Sequence, residues 1–148
     1  MLLDSSAIIE VFRSSSDSRR FRAIVRRIGD EEVYVSVIQL AEVADWAVRN
    51  RLPPRDRIES VKDFVRIVQL NEEICVEAAA IKRRRREEGH ADFSLLDAII
   101  LATARSIGQK VLTFDGTRTL LKDVSFSPRA CVSNLAPVLA SYPAYALI

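Results

Sequence analysis

Cysteine and histidine are scarce in this sequence, which has two cysteines and one histidine among 148 residues. Cys75 and Cys131 do not form a Cys-x-x-Cys pair, and a single histidine excludes a histidine-rich zinc site. Both cysteines stand in apolar surroundings, so we expect them to be ordinary packing residues. Neither thiol chemistry nor a soft-metal site is therefore expected.

Long apolar runs are also absent. No segment approaches the roughly 18 consecutive apolar residues that a membrane-spanning helix needs. The N-terminal sequence MLLDSS has neither the basic region nor the long apolar region of a signal peptide. These absences predict a cytoplasmic protein with no membrane partner.

The composition fits one domain over residues 1–148. The chain is 49% hydrophobic, which allows a substantial core, and its length is short for two domains. It contains no internal repeat, low-complexity tract or linker. The net charge is only +2, but if several acids share one pocket, the remaining surface is clearly basic. That distribution suits a polyanionic partner.

Short apolar segments alternate with helical patterns along the chain. Strands are expected at 2–3, 33–37, 66–70 and 110–114, with a weaker strand pattern at 131–132, and helices are expected between them. Ser36, with Gln39 three residues later, and Asn71 are expected to cap two of these helices, and Gly29 is expected to end another. This alternation predicts an α/β fold with right-handed crossovers. The continuous apolar character of VYV, RIV and VLTF indicates a largely parallel sheet.

One predicted helix, which follows Ser94, is almost entirely apolar and yet carries Asp97 in its first turn. Ser94 is a good N-cap, and Gly108 is a suitable stop. An acid at this position commonly caps the helix or complements its dipole. However, no cation lies one turn further on, and an anion among aliphatic side chains is costly without a partner. We therefore expect another part of the fold to compensate Asp97.

Three more acids fall at the same predicted edge of the sheet. Asp4 and Asp115 directly follow strands, while Glu42 and Asp97 lie in early turns of helices that begin near that edge. Ligands collect at the carboxyl ends of parallel strands. Each acid also has an ordinary interpretation: an N-cap for Asp4, a half-exposed helical acid for Glu42, and an Asp-Gly turn for Asp115. Together they predict a shared site.

Clustered carboxylates repel one another unless a cation holds them. Ligation by oxygen alone selects Mg²⁺ or Mn²⁺. Such an ion lowers the pKa of a bound water and neutralises charge on a phosphodiester, so no protein nucleophile is required. Metal-dependent phosphodiester hydrolysis is the reaction that this chemistry favours.

The segments LLDSSAII, VSVIQLAEVA, FSLLDAIILATA and LTFD resemble the motifs of the PIN-domain nucleases, most closely the small VapC-type toxins of toxin–antitoxin pairs. The resemblance covers residues 2 to about 123 and leaves 124–148 as a last strand and tail. It implies a three-layer PIN-like α/β fold, in which helices flank a central, mostly parallel five-stranded sheet. It further implies an endoribonuclease that depends on Mg²⁺ or Mn²⁺, an RNA substrate, a homodimer and a cognate antitoxin.

The resemblance also implies roles for individual residues. The catalytic and metal-binding acids would be Asp4, Glu42, Asp97 and Asp115, the last of which could act through a water molecule. Ser6 and Thr113 would be hydroxyls that support these acids.

Two arginine-rich segments are candidates for RNA contact. One is the run Arg83, Arg84, Arg85 and Arg86, and the other is the set at positions 19, 20, 22, 26 and 27. A solvated helix face is the alternative interpretation of both segments, and in the first it would also complement the helix dipole.

Other functions remain open at the level of the sequence. A stand-alone PIN nuclease of RNA processing is one alternative, and a non-catalytic PIN module that binds RNA or a partner is another. The sequence Asp4-Ser5-Ser6 lacks the paired acids of signal-receiver domains and the Asp-x-Asp of haloacid-dehalogenase-like phosphatases.

Overall fold

The computed structural model describes residues 1–14 and 18–114. These residues form four strands and six helices, in the order β1 (Leu2–Leu3), α1 (Ser5–Arg13), α2 (Arg19–Ile28), β2 (Tyr34–Ser36), α3 (Val37–Arg49), α4 (Pro54–Lys62), β3 (Arg66–Val68), α5 (Glu72–Glu87), α6 (Leu95–Ser106) and β4 (Val111–Leu112). None of these helices is long and apolar enough to cross a membrane.

The four strands form one parallel sheet in the order β3-β2-β1-β4. The central strand β1 is only two residues long, and Leu2 lies level with Tyr34 on one side and with Val111 on the other. The parallel α/β architecture predicted from the sequence is confirmed. The part of the chain described holds four strands rather than five, and the strand expected at 131–132 falls outside it.

Local sequence signals set most of the helix ends. Ser18 caps α2 by accepting a hydrogen bond from the Phe21 amide, and Gly29 ends this helix with a positive φ of 55°. The strand predicted at 33–37 is shorter than expected because Ser36 becomes the N-cap of α3 and Val37 already belongs to the helix. Helix boundaries are therefore predicted better than strand lengths.

Side chains of the strands alternate between two cores. On one face of the sheet, Leu3 and Val35 pack with Ile8 of α1, Ile24 of α2 and Val43 of α3. On the other face, Leu2 packs with Ile100 and Ala104 of α6. Tyr34 and Val111 lie with Leu2 on this second face. Residues two apart in a strand share a face, so Asp4, Ser36 and Thr113 also belong to the face that α6 covers.

Helices α5 and α6 form an antiparallel pair. Ile74, Ala78 and Ile81 of α5 pack against the buried aliphatics of α6. Arg105, near the end of α6, pairs with Glu77, near the start of α5, at 2.7 Å. The C-terminal end of α5 therefore lies beside the N-terminal end of α6.

Cys75 does not pack in the core, and that expectation was wrong: its thiol is free and exposed. The buried stripe of α5 runs through Ile74, Ala78 and Ile81, and Cys75 falls beside this stripe. The apolar residues near it in sequence could not reveal on which side of the helix it lies. Cys131 is outside the described residues.

Aromatic stacking joins the ends of α1 and α3. The rings of Phe12 and Trp46 are stacked with centroids 6.0 Å apart, and the guanidinium of Arg57 lies 5.5 Å from the Phe12 centroid. This contact holds together two helices that both begin at the carboxyl edge of the sheet.

Truncating the contact between β1 and α6 should destabilise the fold. Ile100 is 1% exposed and packs against Leu2. We expect Ile100→Ala to lower the free energy of unfolding by about 3 kcal/mol, because the truncation leaves a cavity. Urea denaturation followed by circular dichroism measures this change. In the matched control, Val76→Ala at a residue that is 72% exposed, the free energy should change by less than about 0.5 kcal/mol.

Candidate active site

Asp4 lies at the end of the central strand and is fully buried. Its backbone occupies the N-cap position of α1, but its side chain caps no amide of that helix. Instead, carboxylate oxygen Oδ2 accepts hydrogen bonds from the Ser6 hydroxyl at 2.7 Å and the Thr113 hydroxyl at 2.9 Å. Asp4 is therefore the N-cap residue by its backbone position, but its carboxylate does not act as the cap.

The two hydroxyls belong to one hydrogen-bonded cluster. Ser6 Oγ and Thr113 Oγ1 lie 3.2 Å apart, and Ser6 Oγ also accepts a hydrogen bond from the Phe114 amide at 3.0 Å. Ser6 comes from α1 and Thr113 from the segment just after β4. Two separate parts of the chain thus fix the orientation of the Asp4 carboxylate.

Asp97 makes a local cap as well as facing the core. Its Oδ2 accepts hydrogen bonds from the Ser94 amide at 3.1 Å and the Ser94 hydroxyl at 2.7 Å, and its amide donates to Ser94 Oγ at 3.1 Å. This capping box accounts for one carboxylate oxygen. The other, Oδ1, is buried, although Asp97 stands at the start of its helix.

The helical period carries Asp97 toward Asp4. Asp97, Ile100 and Ala104 lie at i, i+3 and i+7, which is one stripe of α6, and Ile100 and Ala104 pack on Leu2. α6 ends just before β4, so its start lies toward the carboxyl edge. Measured from the contact between Ile100 and Leu2, Asp97 lies about 4.5 Å further along the helix axis and Asp4 about 6.6 Å further along the strand. Both acids therefore approach the same edge on the same face of the sheet.

Glu42 lies on α3, which begins directly after β2. It is one turn beyond Ile38, a residue that packs against the core shared by α5 and α6. Glu42 is half-buried, and its Oε2 is shielded from solvent. The stripe that carries Ile38 and Glu42 therefore turns this acid toward α6.

Gln39 has a positioning role that the sequence indicated only in part. It is fully buried, its Oε1 accepts the Ser36 amide at 2.5 Å, and its Nε2 donates to the carbonyl of Leu3. The capping box with Ser36 was predicted from the sequence. The bond to Leu3 was not, although a capping glutamine has a spare amide donor that needs a partner when it is buried. Gln39 thus ties the helix of Glu42 to the residue that precedes Asp4.

The described residues bring the acids to one edge without closing them into a complete metal site. Within 1–14 and 18–114, no three His, Cys, Asp or Glu side chains are close enough to hold a metal ion. Asp115 lies outside these residues. The donors that are present are carboxylate and hydroxyl oxygens, the type that Mg²⁺ and Mn²⁺ prefer. The donor chemistry therefore fits such an ion, and the set of ligands in this part of the chain is incomplete.

The arginine run of α5 lies near the same end of α6. Three of its four side chains interact with acids at the end of the same helix: Arg83 pairs with Glu87 at 2.8 Å and Arg85 with Glu88 at 3.2 Å. Arg84 reaches Glu88 at 4.0 Å. These pairs offset part of the positive charge that the arginine run places near the end of α6 that carries Asp97.

The central strand and two flanking helices place acidic residues at the carboxyl edge of this parallel sheet. This arrangement defines a class of α/β proteins that have an acidic site at the edge of the sheet. Within that class, residues 1–125 match the model of the PIN domain family. The chain belongs to this family.

Solved structures with similar folds include the following three. A toxin–antitoxin complex from Klebsiella pneumoniae is 22% identical, with 78% of this chain and 90% of that chain covered and a TM-score of 0.60. VapC20 of Mycobacterium tuberculosis, a toxin that cleaves the sarcin–ricin loop, is 19% identical, with 86% and 98% covered and a TM-score of 0.64. VapBC2 of Rickettsia felis, bound to a DNA fragment from its promoter, is 10% identical, with 76% and 84% covered and a TM-score of 0.60. No curated protein sequence matches the chain.

Removing the Gln39 amide should loosen the junction between β1 and α3. We expect Gln39→Ala to lower the free energy of unfolding by about 3 kcal/mol, because the Leu3 carbonyl and the Ser36 amide each lose a buried partner. Urea denaturation measures the loss. Gln69→Ala, at an exposed position, is the matched control and should change stability by less than about 0.5 kcal/mol. Equal stability of the two variants would contradict the bridging role of Gln39.

Proposed function

We propose that this protein is a divalent-metal-dependent endoribonuclease and the toxin of a toxin–antitoxin pair. The observation that carries the proposal is the buried Asp4 carboxylate, which the hydroxyls of Ser6 and Thr113 orient at the end of the central strand. Asp97 and Glu42 lie on helix stripes that turn toward the same edge. Membership of the PIN domain family supports the assignment of a nuclease.

Asp4, Glu42, Asp97 and Asp115 would hold Mg²⁺ or Mn²⁺, with Asp115 acting directly or through water. When bound, such an ion supplies an activated water and neutralises charge on the scissile phosphodiester. The chain itself supplies the position of the ligands. Ser6 and Thr113 fix the Asp4 carboxylate, and Ser94 fixes that of Asp97.

The proposed substrate is RNA, which the basic run at the end of α5 would contact beside the cleavage site. Arg83, Arg84, Arg85 and Arg86 are the residues of this run. Because α5 and α6 are antiparallel, the run lies near the end of α6 that carries Asp97. Phosphate groups could replace Glu87 and Glu88 as partners of these guanidinium groups.

The proposed partners are a cognate antitoxin and a second copy of the chain. Support for the antitoxin comes from the similar folds of a toxin–antitoxin complex and of VapBC2. We place the activity in the cytoplasm, where RNA is available. A homodimer follows from the resemblance to VapC-type toxins and needs a direct test by light scattering.

Cleavage should depend on the acids at the edge and on a divalent ion. Asp4→Asn and Asp97→Asn should each lower the rate of cleavage of a structured RNA in Mn²⁺ by about 100-fold or more, because each substitution removes a ligand charge. Gel electrophoresis of end-labelled RNA measures the rate, and EDTA should abolish cleavage. Asp45→Asn, on the same helix as Glu42 but exposed and paired with Arg49, is the matched control and should cleave normally. RNA that is cut equally in EDTA, or equally by Asp97→Asn, would refute the proposal.

A measurement of metal binding distinguishes a metal-dependent enzyme from a non-catalytic module of the same family. Isothermal titration with Mn²⁺ should give a Kd that rises at least about tenfold in Asp4→Asn and in Glu42→Gln. Asp115→Asn should have a smaller effect if this acid acts through water. If the wild-type protein binds no Mn²⁺ and yet binds RNA, the chain is a binding module of the PIN family rather than a nuclease.

A further inference from the structure

Helix α2 presents a second basic surface, which the proposed cleavage site does not use. Five of its ten residues are arginines, none is acidic, and all five arginines are exposed. We call this the α2 basic face; it consists of Arg19, Arg20, Arg22, Arg26 and Arg27. Its buried stripe, Ile24 and Ile28, packs on the core of α1 and β2. The α2 basic face therefore lies on the side of the sheet opposite to α6.

The α2 basic face differs from the other charged helix surfaces of this protein. α3, α4 and α5 each neutralise part of their charge internally, through Asp45–Arg49, Glu59–Lys62 and Arg83–Glu87 at 2.8 Å each. Among the described residues, only Arg20 of the α2 basic face has a carboxylate within ion-pair distance, Glu10 at 3.4 Å. Of the three acids that follow α2, Glu31 interacts with the N-terminus and Glu32 with Arg66.

This arrangement is unfavourable for the helix itself. Arg19 and Arg20 place positive charge in the first turn, where the helix dipole favours negative charge. Arg22 lies three residues after Arg19 and four before Arg26, so like charges repel along one row. An ordinary solvated face mixes charges of both signs, as α3 and α4 do. Among the described residues, a concentration of arginine that has few acidic partners and opposes the dipole indicates an anionic ligand.

We propose that the α2 basic face binds the phosphate backbone of the RNA at a distance from the point of cleavage. This inference deepens the proposed function, on which it rests for the identity of the polyanion. The row Arg19, Arg22 and Arg26 spans about 10.5 Å along the helix, enough for a few consecutive phosphates. Guanidinium groups bind phosphate oxygens in pairs. A folded RNA that contacts both sides of the protein would be held by the α2 basic face while α5 and α6 hold the scissile segment.

The test measures RNA binding without cleavage. The full-length protein is titrated into a fluorescently labelled RNA hairpin in EDTA, and anisotropy gives the Kd at several KCl concentrations. For R19Q/R22Q/R26Q we expect Kd to rise at least about tenfold at low salt and the slope of log K against log[KCl] to fall by about 2, since three phosphate contacts are lost. The melting temperature should stay the same or rise, because the substitutions remove repulsion. A purely structural role would lower it.

The matched control removes three arginines that are paired with acids elsewhere. Arg49, Arg66 and Arg105 pair with Asp45, Glu32 and Glu77. R49Q/R66Q/R105Q makes the same change in net charge and should keep the wild-type slope. R19K/R22K/R26K retains the charge and should retain most of the slope. Equal slopes for R19Q/R22Q/R26Q and the control would overturn the inference. It would also be overturned if polyglutamate displaced the hairpin as effectively as polyuridine, because that result would indicate an acidic protein partner.

The two proposals can fail separately. If the protein does not cleave RNA but R19Q/R22Q/R26Q loses RNA binding, the inference about the α2 basic face stands and the nuclease proposal is rejected. If the protein cleaves RNA in Mn²⁺ but R19Q/R22Q/R26Q binds RNA normally, the nuclease proposal stands and the inference about the α2 basic face is rejected.

Discussion

The hydrogen bonds that Ser6 and Thr113 donate to Asp4 are the interaction on which the candidate site depends. A carboxyl group that is fully buried at the end of the central strand is costly unless hydrogen bonds satisfy it. Both hydroxyls bond to the same oxygen, Oδ2, at 2.7 and 2.9 Å. They come from the helix after β1 and from the segment after β4, so the carboxylate is oriented only when the sheet has formed. Fold and site are therefore assembled together.

The rest of the architecture brings other acids toward this point. Leu2 packs on the stripe of α6 that begins with Asp97, and Gln39 fixes the start of α3 against Leu3. Aliphatic packing and one buried amide thus determine where two charged side chains lie. The same α5–α6 packing places an arginine run near Asp97. An acidic edge with basic surroundings is the arrangement that the proposed metal-dependent cleavage of a phosphodiester would use.

Signals local in sequence predicted much of this fold. The caps at Ser36, Asn71 and Ser94 and the stop at Gly29 are short-range features, and the structure places them as expected. Membership of the PIN domain family also agrees with the motifs around the acids.

Contacts between distant segments could not be predicted in the same way. The bond from Thr113 to Asp4 joins residues 109 positions apart and depends on the register of β1 and β4. The bond from Gln39 to Leu3 depends on how α3 leaves the sheet. The side of α5 on which Cys75 falls depends on which stripe meets α6. Asp115 follows β4 but lies outside the described residues, so its place at the edge remains a prediction.

The proposal that most needs a test is that a divalent ion binds at the carboxyl edge beside Asp4, with Glu42 and Asp97 drawn to it from their helices. Anomalous diffraction at the manganese edge, from crystals soaked in Mn²⁺, tests it most directly. We predict a strong peak within bonding distance of an oxygen of Asp4, with Asp97 and Glu42 bound to the same ion directly or through one water. A peak at another part of the surface with none beside Asp4, or no peak at all in crystals of active protein, would contradict it.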